Sequence, residues 1–295
     1  MSKFYSKILL FGEYSIIKGS QGLAFPLKKF YGELKFPHVN TSKPEHNLSD
    51  FCQYISGRGI LANLLDTDLF RSELEQGLYF DSNIPIGHGV GSSGALCASI
   101  FARYSKEFKR KKTYTQSELK YLQDLMALME SYYHGTSSGL DCLISLIDKP
   151  VFIRSRNDVE SIEDLPKHKM GHFYLYETHI IRKTAPLVHT FLKDYDQSQQ
   201  VREGVQRFSQ LTNELILSLL QAKKTIFDEL FSQISRFQYL NFETMICDNI
   251  KAFWLQGLES KEFFVKLCGA GGGGYYLVYS PNKALSYPNL TKIDL

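Results

Sequence analysis

One stretch of the chain carries the residue types of an anion-binding loop. Pro85 to Ala95 reads Pro-Ile-Gly-His-Gly-Val-Gly-Ser-Ser-Gly-Ala and opens an apolar run that ends at Phe108. Glycine permits a tight turn and a close approach of the backbone to a ligand. A helix that begins there directs its free N–H groups and the positive end of its dipole at the loop, which suits phosphate. The alternative is a plain glycine-rich turn in which Ser92 or Ser93 caps the helix.

This stretch differs from the two commonest phosphate-binding motifs. A Walker loop requires Gly-Lys-Ser/Thr, and no lysine follows Gly91. Gly89 to Gly94 fits G-x-G-x-x-G, but a Rossmann fingerprint also needs a βαβ unit and usually lies on the first strand of its domain. An alternating segment over residues 77–82 predicts a strand immediately before the loop. A strand, this loop and a helix therefore follow one another along the chain, and that order favours phosphate binding.

Three ionic residues stand in apolar surroundings where charge is costly. Lys7 heads an apolar run to Phe11 that predicts a buried strand, and Glu130 borders the apolar face of a predicted amphipathic helix over residues 117–133. Asp141 lies between a small-residue loop and another apolar run. Each residue has an ordinary structural interpretation as well. Lys7 would be solvated, Glu130 would reach water at the rim, and Asp141 would cap the next helix.

Composition bounds the class of protein. The chain has 295 residues, which is enough for two modest domains. Its content of hydrophobic residues (43%) and charged residues (22%) is ordinary for a globular protein. A net charge of +3 indicates neither a nucleic-acid nor a membrane surface. Five cysteines without metal-site spacing, and no secretion signal before Lys7, predict reduced thiols and a cytoplasmic location. No apolar segment reaches the roughly 20 residues that a membrane span needs.

The pattern along the chain predicts an α+β protein. A β-rich opening over residues 3–36 precedes the loop, Ser117 is the expected cap of the amphipathic helix, residues 201–237 are mostly helical, and 241–258 form a further helix. Near the end, two apolar strands flank the glycine-rich loop (residues 269–274), whose sequence is Gly-Ala-Gly-Gly-Gly-Gly. So many glycines between strands indicate close backbone approach. The predicted domains are 1–160, with the phosphate loop, and 161–295, with the glycine-rich loop.

Taken together, these stretches resemble the GHMP small-molecule kinases. The family's three motif regions occur in order as Lys7 to Tyr14, Pro85 to Ala95 and Lys266 to Gly274, and the resemblance spans nearly the whole chain. It implies a two-domain α+β fold, in which the N-terminal domain is like domain 2 of ribosomal protein S5 and the C-terminal domain is ferredoxin-like. The nucleotide would lie in the cleft between them.

Within the family, the chain is most like the mevalonate kinases. His134 to Asp141 reads His-Gly-Thr-Ser-Ser-Gly-Leu-Asp and resembles their H-G-N-P-S-G-V-D segment. The two acids keep the spacing of that group, 141 − 130 = 11. Residues 178–188 resemble their substrate-side segment. The resemblance therefore implies ATP- and Mg²⁺-dependent phosphorylation of a hydroxyl on a small acidic metabolite, with mevalonate as the expected acceptor in isoprenoid precursor synthesis.

The resemblance also implies roles for individual residues. Asp141 would be the base or the orienting group for the attacking hydroxyl, and Lys7 would stabilise the transferring phosphoryl group. Around one metal–phosphate centre, the charges of Lys7, Glu130 and Asp141 would compensate one another. Ser93 and Glu130 would hold Mg²⁺. The residues expected to hold the ATP phosphates are Gly87, Gly89, Gly91, Ser92, Ser93 and Gly94, and the expected substrate contacts are Glu13, Tyr14, Arg182, Thr184 and Gly271.

Several departures leave the acceptor open. Tyr14 stands where mevalonate kinases usually have histidine, and phosphomevalonate kinases often carry Gly-Glu-Tyr and Ser-Ser-Gly-Ala, as here at residues 12–14 and 92–95. Phosphomevalonate, or the acceptor of another GHMP kinase, is the alternative. A catalytically silent binding protein of the same fold is a further alternative, which ADP release with any acceptor would exclude. A monomer or homodimer without nucleic-acid or membrane partners is expected.

Overall fold

The structure is a computed structural model, and it describes residues 2–37, 47–155, 157–163, 165–166, 170–181 and 184–294. Arg182, an expected substrate contact, lies outside the described residues. The strands are β1 (Phe4–Phe11), β2 (Gly22–Lys35), β3 (Tyr79–Ser82), β4 (Val151–Ser155), β5 (Asp158–Ser161), β6 (His172–Glu177), β7 (Phe264–Leu267), β8 (Tyr275–Ser280) and β9 (Leu290–Ile293). The helices are α1 (Leu48–Ser56), α2 (Gly59–Leu64), α3 (Thr67–Glu75), α4 (Ser92–Tyr104), α5 (Gln116–His134), α6 (Leu140–Ile147), α7 (Thr184–Gln197), α8 (Gln199–Leu220), α9 (Lys224–Asn241) and α10 (Asp248–Ser260).

The described residues group into two compact units. The first takes residues from Met1–Lys7, Pro26–Pro85 and Val90–Lys149. The second takes residues from Ile8–Phe25, Ile86–Gly89 and Pro150–Leu295. Strands β1 and β2 and the loop before α4 therefore contribute residues to both units. The division into domains at residue 160 stays a prediction, and each unit is described below by itself.

The first unit is built around α4. Its residues from Gly94 to Phe101 are all buried, as expected for a helix that is apolar on every side. Helices α5 and α6 pack against it. Strand β3 pairs antiparallel with the C-terminal part of β2, where Gly32 leaves room for the ring of Phe80. These contacts fix the start of α4, the end of α5 and the start of α6 within one unit.

Helix α5 begins differently from the prediction. Thr115, not Ser117, is its N-cap, because Thr115 and Glu118 form a capping box. The Glu118 amide donates to Thr115 Oγ1 at 3.3 Å, and the Glu118 carboxylate accepts from the Thr115 amide at 2.9 Å. The Thr-x-x-Glu spacing is the sequence signature of this motif.

The second unit contains an antiparallel sheet in the order β7-β8-β6-β9. Every residue of β7 and β8 is buried, and helices α9 and α10 pack against β7. A group of aromatic rings fills this core: Phe11, Phe173, Phe227, Phe231 and Tyr279. The N-terminal residues of β2 pair antiparallel with β4, and β4 pairs with β5. The strands on both sides of the glycine-rich loop are thus fixed in one buried sheet.

The predicted helical region over residues 201–237 is confirmed but interrupted. Helix α8 ends at Leu220 and α9 begins at Lys224, and between them Ala222 has a φ of 55°. The helix predicted over 241–258 starts later, at Asp248, after a short 3₁₀ turn. Helix α7 was not predicted, although Pro186 in its first turn is compatible with a helix. Of the described helices, none has the length and apolar character needed to cross a membrane.

Candidate active site

The loop before α4 turns through glycines at positive φ: 77° at Gly87, 72° at Gly89 and 81° at Gly91. Gly91 is the N-cap of α4, and no side chain caps this helix. The alternative in which Ser92 or Ser93 is the cap is therefore wrong. Ser92 Oγ is buried without a hydrogen-bond partner among the described residues. The first turn of α4 thus leaves N–H groups and one hydroxyl available to an anion.

Lys7 and Asp141 form an ion pair beside this helix start. Lys7 Nζ lies 2.9 Å from Asp141 Oδ1, with side chains that are 13% and 34% exposed. The Lys7 amide donates to the Val90 carbonyl at 2.9 Å, which fixes β1 against the loop. Lys7 is therefore not a solvated lysine. Asp141 lies inside the first turn of α6 and is not its N-cap, because that position belongs to Gly139.

Two glycines allow this pair to lie close to α4. A Cβ atom at position 91 would lie 3.1 Å from Lys7 Cγ and 3.5 Å from Asp141 Oδ2. A Cβ atom at position 94 would lie 2.9 Å from the backbone carbon of Asp141 and 3.0 Å from the Cys142 nitrogen. The glycines therefore bring the carboxylate of Asp141 next to the start of α4.

Glu130 is buried and held by two hydroxyl groups. Glu130 is only 5% exposed, so its side chain does not reach water at the edge of the helix face. Ser93 Oγ donates to Oε1 at 2.9 Å, and Ser137 Oγ donates to Oε2. His134 Nε2 lies 3.0 Å from Ser93 Oγ. Because the Ser93 proton is directed at Glu130, we assign His134 the tautomer in which Nε2–H donates to Ser93.

The donor set around Glu130 fits a hard divalent cation. Carboxylate and hydroxyl oxygens are the ligands that Mg²⁺ prefers, and Glu130 forms no ion pair with a cation in the described part of the chain. The described part of the chain contains no cluster of three or more His, Cys, Asp or Glu side chains arranged for a metal. A cation held by Ser93 and Glu130 would therefore need further oxygen ligands, as Mg²⁺ takes from phosphate and water.

In the second unit, the glycine-rich loop is packed by other backbone segments. A Cβ atom would lie 2.2 Å from the Met245 oxygen at position 271, 2.5 Å from the Ile180 oxygen at 273 and 2.5 Å from the His88 oxygen at 274. The Gly274 amide donates to the Ile180 carbonyl at 2.8 Å. Thr178 Oγ1 donates to the Gly274 carbonyl at 2.8 Å. The glycine-rich loop thus contacts His88 in the loop before α4, and side chains are excluded from these close approaches.

The expected substrate contacts of the second unit lie in different environments. Glu13 is 2% exposed and forms an ion pair with Lys266, and Tyr14 is 4% exposed and donates a hydrogen bond to Ala270. Burial raises the pKa of the Glu13 carboxyl, and Lys266 opposes this. Gly271 is packed against Met245, whereas Thr184 is exposed at the start of α7. Their roles as substrate contacts stay predictions.

Some residues that contact the candidate site residues were not predicted from the sequence. His134 and Ser137 belong to the segment that supplied Asp141, and that segment was the available signal for both. Thr178 and Lys266 likewise lie in segments that carried the resemblance, 178–188 and 266–274, but their roles depend on the partners that the fold brings to them.

Comparison with known proteins places this arrangement in a family. A model of the GHMP kinases N terminal domain matches residues 59–149, which include Ser93, Glu130 and Asp141. The predicted resemblance to the GHMP kinases is thus confirmed over this region. The family match and the relatives indicate that the protein is a kinase, and ATP is its expected phosphoryl donor, because GHMP kinases are ATP-dependent.

Its relatives share the fold over almost the full length. The chain is 22% identical to the mevalonate kinase of Thermococcus sibiricus over 98% of its own length and 91% of that protein. The structure of L. major mevalonate kinase in complex with R-mevalonate matches with a TM-score of 0.66 and 15% identity, covering 99% and 95% of the two chains. Streptococcus pneumoniae phosphomevalonate kinase matches with a TM-score of 0.63 and 14% identity, covering 96% and 92%. The predicted α+β GHMP kinase fold is confirmed.

Proposed function

We propose that this GHMP kinase transfers the γ-phosphoryl group of ATP, with Mg²⁺, to a hydroxyl of mevalonate and so forms 5-phosphomevalonate for isoprenoid precursor synthesis. The observation that carries the proposal is the Lys7–Asp141 pair next to the uncapped start of α4. Similarity to mevalonate kinases over nearly the whole chain supports this acceptor.

Anion binding is the task we assign to the start of α4. The first-turn amides, the positive end of the helix dipole and the Ser92 hydroxyl would receive the ATP phosphates. Gly91 allows a phosphate to approach the backbone without a side chain in the way. In this proposal, the phosphate-binding residues are Gly87, Gly89, Gly91, Ser92, Ser93 and Gly94.

Ser93 and Glu130 are the proposed ligands of Mg²⁺, which would neutralise charge on the phosphate oxygens. Ser137 holds one oxygen of Glu130, and His134 directs its Nε2–H at Ser93. These contacts restrict the rotamers of both ligands before the nucleotide binds. Such support from neighbouring hydrogen bonds orients metal ligands in other sites.

Asp141 would accept the proton of the attacking hydroxyl, or hold that hydroxyl in line with the phosphoryl group. Lys7 occupies Oδ1, and Oδ2 lies on the side of Gly91, so Oδ2 is the oxygen we assign to the hydroxyl. The Lys7 ammonium would balance negative charge that develops during transfer. Phosphoryl transfer depends mainly on such positioning and charge stabilisation.

Phosphomevalonate is the second acceptor to be tested, because Tyr14 and the Ser-Ser-Gly-Ala sequence at 92–95 are like phosphomevalonate kinases. The similarity in fold to S. pneumoniae phosphomevalonate kinase supports testing this second acceptor.

The test is ADP release by the purified protein with Mg·ATP and mevalonate, phosphomevalonate or no acceptor. We expect turnover with mevalonate alone, and a decrease of roughly 10²–10⁴-fold in Asp141→Asn. Asp124→Asn, an exposed aspartate on α5 that pairs with Lys120, is the matched control and should retain full activity. Turnover with phosphomevalonate alone would show that phosphomevalonate, and not mevalonate, is the acceptor. Absence of turnover with both acceptors, together with normal ATP binding, would reject the mevalonate-pathway assignment.

A further inference from the structure

Two adjacent side chains in the turn after β1 contact the segment that leads into the glycine-rich loop. Glu13 Oε1 lies 2.5 Å from Lys266 Nζ, and Tyr14 Oη donates to the Ala270 carbonyl at 2.6 Å. The turn therefore binds both ends of residues 266–270, and all of these residues lie in the second unit.

The Glu13–Lys266 ion pair is buried, and every N–H donor of the Lys266 ammonium group has an acceptor. Both side chains are at most 1% exposed. Lys266 Nζ also donates to the carbonyls of Leu10 at 2.7 Å and Leu267 at 2.6 Å. An ammonium group has three donors, so each is satisfied. A buried charge with a paired partner and full hydrogen bonding is tied to one geometry, because loss of either contact leaves a polar group unsatisfied.

Tyr14 adopts a strained backbone conformation that serves this contact. Its φ is 61°, a value that is unusual for a residue with a bulky side chain. The ring packs against Phe191 and Phe242, with centroid distances of 4.7 and 5.3 Å. Such strain persists only where the surroundings determine the conformation, and it is concentrated at functional sites. Here the conformation directs the hydroxyl at the Ala270 carbonyl.

The residues after Ala270 are held from other directions. The Gly272 amide donates to the Met245 carbonyl at 2.8 Å, and Gly274 is bound by Thr178 and Ile180. The Tyr14 hydrogen bond holds Ala270 between these contacts and the Glu13–Lys266 ion pair.

We propose that Glu13 and Tyr14 are positioning residues, which hold the glycine-rich loop in its active conformation and act through that loop rather than on the acceptor. The inference rests on the proposed kinase function. Exposures of 2% and 4% leave neither residue a surface for a substrate, while each has a direct contact to residues 266–270.

The test compares Tyr14→Phe with Tyr174→Phe. Tyr174 is 3% exposed, and its hydroxyl accepts a hydrogen bond from the Leu285 amide at 2.9 Å, so the control loses one partly buried hydrogen bond away from the loop. Hydrogen–deuterium exchange is measured on peptides that cover residues 266–274, together with kcat and the KM of the acceptor. For Tyr14→Phe we expect exchange in these peptides about tenfold faster, from the loss of one hydrogen bond. We also expect kcat about three- to tenfold lower and the acceptor KM within twofold of wild type. Tyr174→Phe should leave loop exchange and kcat unchanged.

Unchanged loop exchange in Tyr14→Phe, or a raised acceptor KM with unchanged kcat, would overturn the proposal. Glu13→Gln tests the ion pair in the same assays and should also accelerate loop exchange. If it fails to fold, Glu13→Gln combined with Lys266→Met removes both charges while keeping the volume, and should fold with the same exchange defect. A wild type inactive with every acceptor would reject the kinase proposal, whereas the exchange experiment decides the positioning role independently of activity.

Discussion

Glu130 combines deep burial with the absence of a cationic partner among the described residues. Two serine hydroxyls satisfy its oxygens, but they do not neutralise its charge. We expect Glu130→Gln to keep the packing and to raise the Mg²⁺ concentration needed for half-maximal nucleotide binding by about 10- to 100-fold, because the metal would lose a charged ligand. Mg²⁺ titrations of nucleotide binding, monitored with a fluorescent ATP analogue, measure this directly.

The control for this change is Glu107→Gln, at an exposed glutamate in the same unit. It should leave the Mg²⁺ titration as in wild type. An unaltered Mg²⁺ requirement in Glu130→Gln would remove Glu130 from the proposed metal ligands, whatever happened to turnover.

Residue types singled out the ionic residues of the candidate site, but not the contacts that support them. Lys7, Glu130 and Asp141 stood out because each is an ionic residue in an apolar context, where the cost of burial calls for a partner. The contact between His134 and Ser93 depends on the end of α5 meeting the start of α4. That approach is set by helix packing, which local sequence patterns do not contain.

Among the elements, the crossing of α4 and α6 should be sensitive to side-chain size. Gly94→Ala would usually stabilise a helix by about 1 kcal/mol. Here the added Cβ would lie 2.9 Å from the backbone of Asp141, so overpacking should dominate. We expect a net loss of about 1–3 kcal/mol in the free energy of unfolding, measured by urea titration, and displacement of Asp141 with lower kcat.

Gly204→Ala is the matched change in α8. A Cβ atom there would be 3.8 Å from Phe237 Cζ, an ordinary contact. This variant should be more stable than wild type by about 0.4–1 kcal/mol. Equal effects of the two substitutions would show that the close approach at Gly94 does not limit packing.

Element types were easier to predict than element boundaries. The apolar run after Gly94 and the two strands around the glycine-rich loop follow from periodicity and length. The break between α8 and α9 at Ala222 contains no glycine or proline, so the sequence did not indicate it. Helix α7 was missed because Pro186 indicates a boundary locally, although a proline in the first turn costs no helical hydrogen bond.

For the whole molecule, acid sensitivity should involve a buried carboxylate remote from the proposed catalytic residues. Glu73 is 9% exposed and accepts hydrogen bonds at 2.6 Å from both Arg103 Nε and Tyr104 Oη. The Arg103 hydrogen bond holds the pKa of Glu73 below its ordinary value. A carboxyl with a lower pKa in the folded state adds stability above its unfolded pKa of about 4.3 and loses it as the pH falls through the folded value.

Glu73→Gln should therefore lower the free energy of unfolding by about 2 kcal/mol at pH 7, since hydrogen bonds to a charged group are lost. The difference from wild type should shrink as the pH falls below about 4. Urea titrations at pH 7, 5 and 3 measure both values. Asp68→Asn, in an exposed pair with Arg71, should show little effect at any pH, and a constant difference for Glu73→Gln would contradict the linkage.

The two units are interleaved along the gene, and this limits how the protein can be divided. A fragment that starts at Pro150 would lack Ile8–Phe25, a stretch that supplies Glu13 to the buried ammonium of Lys266, Phe11 to the aromatic core and Gly22–Ala24 as the pairing partner of β4. Each loss exposes a group that the remaining residues cannot cover. A fragment that begins at Pro150 should therefore fail to fold as an independent half of the enzyme and should be degraded by cellular proteases.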